Sequence, residues 1–86
     1  MLEIDLIRKE IEQIDGIIIE SLAKRQALSK QIGQIKLQHG LAIIDPEREA
    51  VLFKLHEKLA DRYHLPATFI KYLFKRIIAH SRKVQA

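Results

Sequence analysis

The chain has 86 residues, a formal net charge of +4 and 48% hydrophobic residues. This size predicts a single domain, residues 1–86, whose own core is only marginally stable, and the absence of cysteine excludes disulfides as reinforcement. The hydrophobic content excludes a disordered chain, no run approaches the ~20 apolar residues of a membrane span, and the acidic N-terminal segment does not fit a signal peptide. We therefore expect a cytoplasmic protein that is stabilised by a second chain.

The first segment carries isoleucine and leucine at alternating steps of three and four residues. This spacing predicts one helix from about Leu2 to His39, and Gly40 follows it as the residue that most readily adopts the left-handed conformation after a helix. We call this apolar stripe the seam. Its members are Ile4, Ile7, Ile11, Ile14, Ile18, Leu28, Ile32 and Ile35.

Two shorter helices follow. Asp45 before Pro46 is a strong signal for a helix start, because Asp caps the N-terminus and Pro is tolerated at the first position. Leucines then give this second helix one apolar face as far as about His64. Pro66 is predicted to begin a third helix, whose inward residues are Phe69, Ile70, Leu73, Phe74, Ile77 and Ile78. The sequence thus predicts an all-α fold with one long and two shorter helices.

The predicted length of the first helix indicates a dimer. At ~1.5 Å per residue, a helix of roughly 36 residues is about 54 Å long, whereas a compact chain of this size is only roughly 30 Å across. The seam must therefore extend beyond its own domain and be covered by another chain. We predict an intertwined, obligate homodimer in which the same helix of a two-fold partner provides that cover.

Polar residues occupy positions where the helical spacing calls for apolar ones. Arg25 lies midway along the seam, where a buried guanidinium needs an anionic partner. Ser81 and Gln85 continue the apolar stripe of the third helix, and Arg48 aligns with the apolar face of the second. Lys36 lies one position off the seam. Each has an ordinary structural explanation, but intrusion in three helices suggests a shared polar cavity.

The residue types restrict the chemistry of such a cavity. The four histidines are scattered and form no convincing metal site, so no metal is expected. The serines lack an obvious base for nucleophilic catalysis, and there is no glycine-rich phosphate loop. What remains is a set of cations and neutral donors that suits a small organic dianion and needs no cofactor.

Several short stretches together resemble one known family. They are Ile7-Arg8-Lys9-Glu10-Ile11 with Gln13-Ile14-Asp15, Leu22-Ala23-Lys24-Arg25, Ile32-Gly33-Gln34-Ile35-Lys36 and Asp45-Pro46-Glu47-Arg48-Glu49. With Ser81 and Gln85 near the end, this order on one long and two shorter helices resembles the active-site pattern of the all-helical chorismate mutases. The likeness covers nearly the whole chain.

The resemblance implies a reaction and a set of anchors for the substrate. Chorismate, a dicarboxylate, would be rearranged to prephenate for phenylalanine and tyrosine biosynthesis, in a pericyclic step without a covalent intermediate. Arg25 and Arg48 would hold carboxylates of the substrate, and Arg8 would reach into the site from the partner subunit. Bidentate contacts of this kind would fix the reactive conformer.

The same resemblance implies roles for the other site residues. Lys36 and Gln85 would donate hydrogen bonds to the ether oxygen as negative charge grows there. Glu49, together with Asp45, would bind the ring hydroxyl, and Ser81 would support a carboxylate. Lys36, Gln85 and Arg25 are the residues expected to act on the reaction itself.

Two other functions remain open at this point. An isochorismate-pyruvate lyase of the same fold would use a similar cationic pocket, although such lyases tend to lack the acidic residues that correspond to Asp45 and Glu49. A dimeric helical module that binds nucleic acid through the basic third helix belongs to a different class. Few aromatic residues and inward arginines disfavour it, so neither nucleic acid nor a membrane is an expected partner.

Overall fold

The computed structural model describes residues 2–86 as three helices joined by two short connections. They are α1 (Leu2–Gln38), α2 (Pro46–Arg62) and α3 (Ala67–Gln85). No strand occurs within the described range. The predicted all-α architecture of one long and two shorter helices is confirmed. The start of α3 differs by one residue, because Pro66 is its N-cap and not its first helical residue.

The start of α2 follows directly from the local sequence. The Oδ1 atom of Asp45 accepts a hydrogen bond of 3.1 Å from the backbone N–H of Arg48, which would otherwise lack a partner in the first helical turn. Pro46 occupies the first turn, where its missing N–H costs nothing. This cap fixes where α2 begins and therefore where Arg48 and Glu49 stand.

The helices α1 and α2 each end in a hydrogen-bonded turn of the same type. After α1, Gly40 has a φ of 65°, and the N–H of Leu41 donates to the carbonyl of Lys36 at 2.8 Å. After α2, His64 has a φ of 56°, and the N–H of Leu65 donates to the carbonyl of Ala60 at 2.9 Å. These are Schellman motifs, which pair the last free carbonyls of a helix.

The third helix holds the molecule together because it packs against both α1 and α2. Ala60 on α2 and Ile78 on α3 are the buried hydrophobic residues within the described range. The chain measures 57 × 24 × 16 Å, with a radius of gyration of 16.3 Å. A compact chain of this length would have a radius of gyration of about 12 Å, so α1 does extend well beyond α2 and α3.

The seam of α1 is exposed in the single chain. Ile7, Ile11, Ile14 and Ile18 are each more than half exposed, at 57%, 52%, 56% and 51%. Such a continuous apolar surface is unusual on a protein that is stable alone. Within residues 2–86, no helix has the length and hydrophobicity needed to cross a bilayer.

Candidate active site

A cavity of about 390 Å³ lies between the C-terminal half of α1, the first two turns of α2 and the last turns of α3. Seven of the eight site residues inferred from the sequence line it: Arg25, Lys36, Asp45, Arg48, Glu49, Ser81 and Gln85. Arg82 and Ser29 line it too, alongside apolar residues of all three helices. The lining contains four cationic side chains and two carboxylates, an excess of two positive charges.

Arg25 interrupts the seam because it faces α3. Its guanidinium donates a hydrogen bond to the hydroxyl of Ser81, which in turn donates to the carbonyl of Ile77 at 3.0 Å. Ser81 is only 5% exposed. Burial lowers the pKa of Arg25 from its usual value, yet a guanidinium keeps its proton in proteins. Arg25 is therefore a half-buried, oriented cation that has no carboxylate partner among residues 2–86.

Lys36 and Gln85 also line the cavity and contact each other. The ammonium of Lys36 donates to the Oε1 atom of Gln85 at 2.8 Å and to the backbone carbonyl of Ile43 at 2.7 Å. A third N–H of the ammonium is left for a ligand. Since Oε1 of Gln85 accepts from Lys36, its NH₂ group is the part that can donate into the cavity.

Gly33 explains how the last turn of α3 comes so close to α1. It is buried, and a Cβ atom at this position would lie 2.6 Å from both the Cα and the carbonyl oxygen of Gln85. No side chain fits in that space. The glycine therefore permits the approach that brings Gln85 within hydrogen-bonding distance of Lys36.

Glu49 is held by a residue that the sequence did not single out for the site. The Nε atom of Arg82 donates to its Oε2 at 2.9 Å, and the Nη2 atom of Arg82 donates to its Oε1. This hydrogen bond with Glu49 raises the pKa of Arg82. In the sequence Arg82 is part of a basic run at the end of α3, a pattern that more often marks a solvated face, and only the packing of α3 beside α2 reveals its partner.

Arg48 and Asp45 lie at the open edge of the cavity. The Asp45 carboxylate caps α2, and its Oδ1 atom already accepts a hydrogen bond from the backbone N–H of Arg48. Both residues are exposed. The guanidinium of Arg48 forms no hydrogen bond or ion pair with the described residues, which leaves its donors available to an anion.

Arg8 does not reach this cavity within its own chain. It lies 17 positions before Arg25 on the same helix, which is about 25 Å at 1.5 Å per residue and far longer than an arginine side chain. Its guanidinium lies 3.7 Å from the carboxylate of Asp5, and both side chains are largely exposed. The structure therefore places seven of the inferred residues together and Arg8 apart from them.

The site shows no arrangement suited to a metal ion: residues 2–86 contain no group of three His, Cys, Asp or Glu side chains that could hold one. The cavity is lined by four cationic side chains, the amide of Gln85 and two carboxylates, of which that of Glu49 is held by Arg82. Such groups bind and orient an anionic molecule and stabilise developing negative charge.

Residues 7–86 match the sequence model of the family described as Chorismate mutase type II. The chain belongs to this family. It rearranges chorismate to prephenate in aromatic amino acid biosynthesis, as the resemblance of its motifs indicated. The match gives no support to the lyase or to the nucleic-acid module considered above.

This chain is similar to two relatives named as chorismate mutases and to one named for 4-amino-4-deoxychorismate. A chorismate mutase of Methanocaldococcus jannaschii is 34% identical over 92% of this chain and 80% of its own length. A bifunctional chorismate mutase/prephenate dehydratase of Buchnera aphidicola is 36% identical over 93% of this chain but only 21% of its own length. A 4-amino-4-deoxychorismate mutase of Streptomyces venezuelae is 24% identical over 96% of this chain and 81% of its own length.

Proposed function

We propose that this chorismate mutase works by holding its dicarboxylate substrate, in the reactive conformer, inside the cavity between the three helices. The observation that carries the proposal is the excess of two positive charges in the cavity lining, which matches the two carboxylates of chorismate. The reaction breaks the ether C–O bond while a C–C bond forms within one molecule. The enzyme therefore needs no nucleophile and no cofactor, and catalysis depends on positioning and electrostatic stabilisation.

Arg25 and Arg48 are the proposed anchors for the carboxylates. Arg25 is oriented by Ser81, so its guanidinium points in a fixed direction before the substrate arrives. The guanidinium of Arg48 has no partner in the described chain and can turn towards a second carboxylate. Forked contacts from arginine would hold the folded conformer that chorismate seldom adopts free in water.

Lys36 and Gln85 are the proposed donors to the ether oxygen. They already contact each other at 2.8 Å, so they can act on one substrate atom together. Negative charge develops on that oxygen as the C–O bond breaks, and the remaining N–H of Lys36 with the NH₂ of Gln85 would stabilise it. Glu49, with Asp45 beside it, would accept a hydrogen bond from the ring hydroxyl.

The active unit is proposed to be a homodimer of this single domain, located in the cytoplasm. The exposed seam of α1 offers a long apolar surface for a second copy of the same helix. An antiparallel arrangement of the two helices would bring Arg8 of one chain towards the cavity of the other. Arg8 would then supply a further cation to the partner's site.

A spectrophotometric assay of chorismate disappearance tests the proposed site. Replacing Lys36 by alanine should lower kcat by about 10²- to 10³-fold, the typical effect of losing one preorganised donor, and Arg25→Ala should mainly raise KM while also lowering kcat. Lys30→Ala is the matched control, because it removes an exposed lysine from α1 that does not line the cavity. Near-normal activity of Lys36→Ala would overturn the proposed role of that lysine.

A further inference from the structure

The Glu49 carboxylate does not stand alone in the cavity wall. Arg82 contacts both of its oxygens, through Nε to Oε2 at 2.9 Å and through Nη2 to Oε1. The side chain of Glu49 is 18% exposed and that of Arg82 is 40% exposed. The pair joins the first turn of α2 to the last turns of α3, and both members line the cavity.

The forked contact fixes the orientation of the carboxylate. A planar guanidinium that contacts both oxygens holds the carboxylate in one plane, which a single lysine cannot do. Each oxygen still has a second lone pair, so the bound carboxylate can accept a hydrogen bond from a ligand. Arg82 therefore holds the Glu49 carboxylate in one orientation, in which it can accept a hydrogen bond from a hydroxyl group.

The contact between Arg82 and Glu49 also changes which ligand groups this part of the cavity wall attracts. An unpaired carboxylate would bind a hydroxyl and would attract an ammonium group even more strongly. The pair of Glu49 and Arg82 carries no net charge, and the guanidinium would repel a second cation placed beside it. The other charged groups that line the cavity, Asp45 apart, are the cations Arg25, Lys36 and Arg48, which increase the repulsion.

We propose that Arg82 is a positioning and specificity residue, which orients Glu49 and makes this part of the wall select an uncharged hydroxyl over an ammonium. The inference rests on the proposed contact between Glu49 and the ring hydroxyl. The informative comparison is chorismate against 4-amino-4-deoxychorismate, in which an amine replaces that hydroxyl. An aliphatic amine is protonated near neutral pH, so the two substrates differ in charge at the place where Glu49 would contact them.

The test measures kcat/KM for both substrates in the wild type, Arg82→Gln and Arg82→Lys. Arg82→Gln should raise the ratio of the amino substrate to chorismate by about tenfold or more, because removing the cation unmasks the carboxylate. Arg82→Lys keeps the charge and loses the fork, so it should keep the wild-type ratio while lowering kcat/KM for chorismate. Lys83→Gln is the matched control, since it removes the same charge from an exposed neighbour that does not line the cavity.

The Glu49→Gln variant distinguishes a wrong role for Arg82 from a wrong role for Glu49. If Glu49→Gln impairs chorismate turnover and Arg82→Gln lowers kcat/KM for both substrates in the same proportion, Arg82 is only structural and this inference is overturned. If Glu49→Gln turns over chorismate like the wild type, the proposed role of Glu49 is wrong, and the inference built on it is overturned as well. A changed ratio in Lys83→Gln equal to that in Arg82→Gln would attribute the effect to net charge and would also overturn it.

Discussion

His56 is a buried titratable residue between α2 and α3, outside the cavity of the proposed active site. It is 8% exposed, its ring stacks on Phe74 with centroids 3.9 Å apart, and its Nδ1 atom has no hydrogen-bond partner among the described residues. Desolvation by burial lowers its pKa, and the positive charge of Arg25 lowers it further. The folded protein therefore favours the neutral imidazole.

This burial predicts an acid-sensitive part of the stability. The unfolded chain takes up a proton at its ordinary pKa of about 6.5, whereas folded His56 does so only at lower pH. The contribution of His56 is therefore complete above about pH 6.5, and it is lost as the pH falls from there towards the folded pKa. Urea unfolding between pH 8 and pH 5 should show a steeper loss of stability in the wild type than in His56→Gln. Parallel curves would contradict the prediction.

At the level of single residues, helical spacing was enough to pick out Arg25, Ser81 and Gln85. Each is a polar group that continues an apolar stripe, and such a group is visible in one sequence. Arg82 could not be found in this way, because its partner Glu49 is 33 positions away on another helix. Its neighbours in the sequence are also basic or polar, so nothing local distinguishes it from a solvated cation.

At the level of helices, the contact between α1 and α3 depends on Gly33. A Cβ atom there would meet the backbone of Gln85 at 2.6 Å, which a shift of a side chain cannot relieve. Gly33→Ala should therefore displace the last turn of α3 and separate Gln85 from Lys36. We expect kcat/KM for chorismate to fall at least about tenfold while circular dichroism still shows a folded helical protein.

Gly16 provides the matched control on the same helix. A Cβ atom at that position meets nothing within 4 Å in the chain. Gly16→Ala should raise the free energy of unfolding by roughly 0.5–1 kcal/mol, since alanine is the better helix former, and should leave the kinetic constants unchanged. Equal activity in the two variants would show that the close approach at Gly33 does not position Gln85.

The helix ends were predictable because their signals are local. Asp45-Pro46 marked the start of α2 and Gly40 the end of α1, and the structure has both. The role of Gly33 was not predictable, because a glycine inside a helix looks merely unfavourable until the backbone that it admits is known. The end of α2 is a further example, since His64 adopts a left-handed conformation that its side chain does not signal.

At the level of the whole molecule, one chain leaves its apolar seam exposed and holds Arg8 away from the cavity. The length of α1 alone predicted that this helix extends beyond its own subunit, and the dimensions of 57 × 24 × 16 Å agree. Arg8 lies on the same helix, about 25 Å from Arg25. A second chain would cover the seam and bring an Arg8 to each cavity, so association and activity should be inseparable.

Mixing two impaired variants tests this account most directly. Arg8→Ala and Arg25→Ala are each expected to show little activity at chorismate concentrations below the wild-type KM, since every site in either homodimer lacks one cation. After joint unfolding and refolding in equal amounts, half of the dimers contain one chain of each kind. One site of such a dimer then lacks both arginines and the other is intact, so about a quarter of the wild-type activity should return. Activity that stays at the mean of the two separate variants would show that Arg8 does not complete a partner's site.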